Sequence, residues 1–188
     1  MERAAVELLR RYADTSAFDA IFGTQAVMRH YPHLTGSRLV EDARSSAIRV
    51  AVDACLEDPR RSRRCVEAAK DWLKAPSTAA ETTFEVARIV RKRESPYVAA
   101  PLFKAALDQK RAAGASAGTF CVDEDLRVST AAALALPDEY DEAGAARAIA
   151  AGPCWDAMKD GVRATLQASD APYFRDNACA VLRVKGAF

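Results

Sequence analysis

The chain has 188 residues, half of them hydrophobic but only 7% aromatic, and its 27 Lys and Arg nearly match its 26 Asp and Glu. A net charge of +1 supplies no global field toward nucleic acid or a membrane surface, and no apolar run approaches the roughly 20 residues that span a bilayer. This length fits one domain, 1–188, with an ordinary core, so no staple or metal is required for folding.

The first pattern is an amphipathic helix over 2–13, with Ala5, Leu8, Leu9 and Tyr12 inward. Asp14, Thr15 and Ser16 offer N-caps for a second helix carrying Phe18, Ile21, Phe22 and Val27. A loop follows from His30 to Gly36, because Pro32 disfavours helix at the residue before it. His30 and His33 form an HxxH pair, yet Pro32 lies inside it and no nearby Cys or carboxylate completes a tetrahedral set. They read as loop histidines, and no metal or cofactor is expected.

From Ser37 two helical patterns are hinged at Glu57-Asp58-Pro59. In the first, Leu39, Ala43, Ala47, Ile48, Ala51 and Cys55 recur at intervals of three and four and should form a narrow buried seam, with Arg44 and Arg49 projecting elsewhere. Asp58 and Pro59 suit the start of the second, whose buried stripe is Cys65, Ala69, Trp72 and Leu73. Arg60, Arg61, Arg63 and Arg64 crowd its first turn and a half. There the positive end of the helix dipole disfavours each cation by about 0.3–1 kcal/mol. Such a cluster needs acidic company, supplied either by Glu57, Asp58 and Glu67 or by an acidic or phosphate-bearing partner.

After Pro76, Thr78 and Glu81 have capping-box spacing, Phe84, Ala87 and Val90 continue a buried stripe, and the helix closes on Arg91, Lys92 and Arg93. Cations suit a helix C-terminus. If neighbouring helices pack antiparallel, this group and the Arg60–Arg64 cluster share one end. Ser95-Pro96 opens the next element, which Pro101 must kink or restart, with Leu102, Ala105 and Ala106 inward. Asp123, Glu124 and Asp125 could serve acid-base chemistry or a cation, but a helix N-terminus favours the same residues. Helix is expected over 128–136 and 143–150, after Pro153, and again from Asp170. The run Cys154-Trp155-Asp156-Ala157-Met158-Lys159-Asp160 echoes Cys65-Val66-Glu67-Ala68-Ala69-Lys70-Asp71, as a repeat or as coincidence between alanine-rich helices.

The five cysteines, Cys55, Cys65, Cys121, Cys154 and Cys179, are odd in number and lack CxxC spacing. They are expected to be reduced core residues of a cytoplasmic protein. The fold class expected is all-α, a multi-helix bundle or helical-repeat-like array of about seven to nine helices.

Two stretches carry a family resemblance. One runs from Arg38-Leu39 through Ile48-Arg49-Val50 and Asp58-Pro59-Arg60-Arg61-Ser62-Arg63-Arg64 to Val66-Glu67-Ala68-Ala69-Lys70-Asp71-Trp72. The other joins Ala112-Ala113-Gly114 and Thr119-Phe120-Cys121-Val122 to Ala131-Ala132-Ala133-Leu134-Ala135-Leu136. Together, over about 37–136, they resemble the all-helical immunity proteins of bacterial polymorphic-toxin systems, the numbered type five. Where that family tends to carry histidines in the later helix, this chain has Cys121 and Asp125. The resemblance implies a bacterial protein without chemistry of its own that binds a cognate toxin and occludes its site. The expected contact residues are Arg60, Arg61, Arg63, Arg64, Arg91, Lys92 and Arg93. The alternative is a helical scaffold or nucleic-acid-associated module using the same basic helix ends, although no aromatic stacking residues interleave with the charge.

Overall fold

A computed structural model describes residues 2–13, 29–34, 37–57, 62–73 and 79–168. The expected helix over 18–27, the residues Asp58, Pro59, Arg60 and Arg61, the Thr78 cap and everything from 169 onward, including Cys179, lie outside the described residues. The fold is all-helical, with nine α-helices and two 3-10 turns among the described residues. Sequence reasoning treats the chain as one domain; the contacts gather into two compact units, 1–93 and 94–188, each described by itself.

The first unit is built on α2 (Arg38–Leu56), which packs against α1 (Glu2–Ala13), α3 (Ser62–Leu73) and α4 (Ala80–Arg93). Its buried stripe is Val40, Arg44, Ala47, Ile48, Ala51, Val52, Cys55 and Leu56. Most of the expected seam is therefore present, but its first turn is rotated by one residue. Val40 lies one turn before Arg44 and two before Ile48 on the buried line, which leaves Leu39 63% exposed. Arg44, expected on the outer surface, is buried instead, with Nη1 3.2 Å from Oε2 of Glu41. Ala5 of α1, Leu34 of the 3-10 turn Pro32–Leu34 and Val40 form a small cluster flanked by Val6, Leu8, Tyr31 and Ala43. In α3 the expected Cys65, Ala69 and Leu73 are buried, together with Val66. Phe84, Ala87 and Val90 of α4 are buried as expected, and so are Thr82, Thr83 and Val86, which makes this helix the more central of the two.

In the second unit a 3-10 turn, Pro96–Ala99, hands over to α5 (Ala100–Ala112). Pro101 thus restarts the chain within the first turn of a helix, where its missing N–H costs little. Leu102, Phe103 and Ala106 point inward. Gly114 ends the helix at φ +66°, the left-handed conformation that favours glycine at a helix end. After the short α6 (Gly118–Cys121), α7 (Glu124–Leu134) forms the centre, touching the 3-10 turn, α5, α6, α8 (Asp141–Ala150) and α9 (Trp155–Gln167). Met158, Val162 and Leu166 give α9 its buried line. Cys154, Met158 and Val162 are buried like their echoes Cys65, Ala69 and Leu73 in α3.

The cysteines correct the sequence reading. Cys55 is bonded to Cys65 and Cys121 to Cys154, one disulfide within each unit. Spacing could not reveal this, because each bond joins one helix end to the start of another and their proximity is a product of the fold.

Candidate functional site

The start of α3 and the end of α4 lie at one end of the first unit, and four contacts fix that arrangement. Near its start, α4 donates a hydrogen bond from Thr82 Oγ1 to Ser45 Oγ of α2 at 2.7 Å. At its far end, Arg93 Nε lies 2.9 Å from Asp53 Oδ1 and Nη2 lies 3.6 Å from Glu57 Oε1. Helices α2 and α4 therefore run parallel. The Cys55–Cys65 bond then holds the first turn of α3 against the last turn of α2. The basic groups come together through this parallel pair with α3 between its members in sequence.

The sequence-expected residues divide at this end. Arg63 and Arg64 are exposed on the first turn of α3, where no acidic residue stands in the first turn, and neither makes an ion pair among the described residues. Lys92 is exposed and likewise without an ion pair among them. Arg91 is half-buried and engaged within the chain. Arg93 is engaged as well, held by Asp53 and Glu57. Its hydrogen bond and attraction to Asp53 raise its pKa above the ordinary value. A raised cation pKa contributes stability that is present below the unfolded value and fades only as pH rises through the folded one. For an arginine that window lies in strong alkali, so the Arg93 contact is constant across ordinary pH. Glu67, the other acid near the arginines, is 3.0 Å from Lys70.

Two other candidates resolve into structural roles. Asp123 is the N-cap of α7, its Oδ1 accepting from the N–H of Asp125 at 2.8 Å and of Leu126 at 3.2 Å. Glu124 lies 3.5 Å from Arg127. The acidic run is thus used to begin a helix. His30 and His33 are exposed, with the His33 ring edge-on to Tyr31. Among the described residues no group of three His, Cys, Asp or Glu side chains could hold a metal ion, and no helix is long and apolar enough to cross a membrane.

No family model, curated protein or solved structure matches the chain. The functional reading accordingly rests on the geometry of this basic end.

Proposed function

We propose that the protein is a non-enzymatic binding module of bacterial origin that neutralises a cognate toxin domain, with Arg63, Arg64 and Lys92 as its principal contact. The observation that supports this reading is the placement of these cations. Two of them stand against the helix dipole, and none has a carboxylate among the described residues to offset the cost. A partner presenting acidic groups would supply that carboxylate, and exposed arginines are frequent anchors of protein interfaces. Arg60 and Arg61, three and two residues before Arg63 in sequence, belong to the same proposal. Arg93 is better regarded as the brace that holds the surface.

The test is co-expression with the toxin domain encoded beside the gene. The expected result is a stable complex and rescued growth, both lost in the triple variant Arg63→Glu, Arg64→Glu, Lys92→Glu. Complex formation unaffected by that reversal would remove the assigned surface. A nucleic-acid partner is the second reading, favoured by the gathering of cations at one end. It requires affinity for a defined oligonucleotide that falls steeply with salt, and a flat response excludes it. The compartment is affected by the paired cysteines. Expectation of the cytoplasm rests on reduced thiols, whereas disulfides persist in oxidising surroundings, so we place the working protein in such surroundings.

A further inference from the structure

The second unit contains a cleft of about 420 Å³ between the outer face of α5, the loop that follows it and the junction of α8 with α9. Leu107, Ala148, Ile149 and Pro153 give it apolar walls. Lys104, Asp108 and Arg111, spaced i, i+4 and i+7 on α5, also line it. Lys104 Nζ lies 2.5 Å from one Asp108 oxygen and Arg111 Nη1 lies 3.8 Å from the other. Two cations therefore lean on a single carboxylate, and the three side chains together carry a net charge of +1, with no second carboxylate paired to Lys104 or Arg111 among the described residues. The Lys104 side chain is 41% exposed and that of Arg111 66%, so both heads can be reached from solvent. Arg111 also extends over the α8–α9 turn. Its Nη2 lies 3.7 Å from where a β-carbon on Gly152 would be, an ordinary van der Waals distance. Small-molecule sites are typically concavities of about 300–1,000 Å³, mostly apolar, with a few polar groups that fix orientation.

We propose that this cleft binds a small organic monoanion, a carboxylate with an apolar body. The carboxylate completes the charge balance of Lys104, Asp108 and Arg111, and Arg111 offers the planar fork that suits it. The apolar body lies against Leu107, Ala148, Ile149 and Pro153. A cation would add to the excess charge, and an inorganic anion would leave the walls unused. This inference does not depend on the toxin-binding reading, which concerns the other unit.

The full chain, titrated with hexanoate and phenylacetate and followed by methyl NMR, tests it. Both probes are expected to shift the methyl signals of Leu107, Ala148 and Ile149. Arg111→Glu should weaken binding at least tenfold with the amide fingerprint unchanged. Ala148→Trp fills the cleft from an exposed position and should abolish binding, which provides a test independent of the rim charges. The proposal is overturned if neither carboxylate shifts these signals, if both variants bind as wild type does, or if hexylamine or inorganic phosphate binds as tightly as hexanoate.

Discussion

Under the proposed function, Arg63 and Arg64 set a cost in the free protein against a use in a complex. At the start of α3 each is disfavoured by the helix dipole, so Arg63→Glu and Arg64→Glu should each raise stability by about 0.3–1 kcal/mol in low salt, read as a higher urea midpoint. A surface kept only for solubility would show no further effect. A contact surface would lose its partner in variants that are more stable than wild type. Glu41 and Arg44 present a different balance, because Arg44 is only 4% exposed. Glu41→Leu removes one carboxylate from a buried guanidinium that keeps a further contact within the chain, which should cost about 1–3 kcal/mol. Arg44→Met, which replaces the charge by an apolar chain of similar length, should stay within about 1 kcal/mol of wild type. Equal losses from both would contradict this account of the pair.

In the second unit, α7 and α9 make one close approach. Gly161 of α9 faces Arg127 of α7, and a β-carbon there would stand 2.3 Å from Arg127 Cδ. Arg127 Nη1 donates to the Gly161 carbonyl at 3.0 Å and to Thr165 Oγ1 at 2.8 Å. Helix propensity alone would favour Gly161→Ala by about 1 kcal/mol. Displacing Arg127 from its two acceptors outweighs that gain, so the variant is expected to lose about 1 kcal/mol, checked by urea unfolding. The same helices show what was legible in the sequence. Periodicity located the buried residues described in α3 and α4, because one apolar face per helix is what burial against a neighbour requires; in α5 it placed Leu102 and Ala106 but missed Phe103 and turned the half-buried Ala105 inward. It misplaced Leu39 and Arg44, since an apolar residue beside the seam and a charged one within it cannot be told apart until a partner for the charge, here Glu41, is seen. The shared basic end was legible from the packing of successive helices, but the engagement of Arg93 was not, because its partners Asp53 and Glu57 lie forty and thirty-six residues earlier. The α5 cleft was not legible at all, because its apolar walls come from three separate segments. Lys104, Asp108 and Arg111 alone look like an ordinary solvated face.

Across the molecule, each unit carries its own covalent bond. Loop closure in the unfolded chain gives the 10-residue Cys55–Cys65 ring a stabilisation of about 2.7 kcal/mol and the 33-residue Cys121–Cys154 ring about 3.7 kcal/mol. Cys55→Ala with Cys65→Ala should therefore lower stability less than Cys121→Ala with Cys154→Ala. Thermal unfolding of the two double variants provides the comparison, and non-reducing peptide mapping verifies the pairing. The smaller ring has a further consequence, because it encloses Arg60, Arg61, Arg63 and Arg64. A trypsin-like protease cutting after any of them would nick the backbone without releasing a fragment. The two pieces would migrate as one band until a reductant was added, and the proposed contact surface would keep its covalent frame after cleavage.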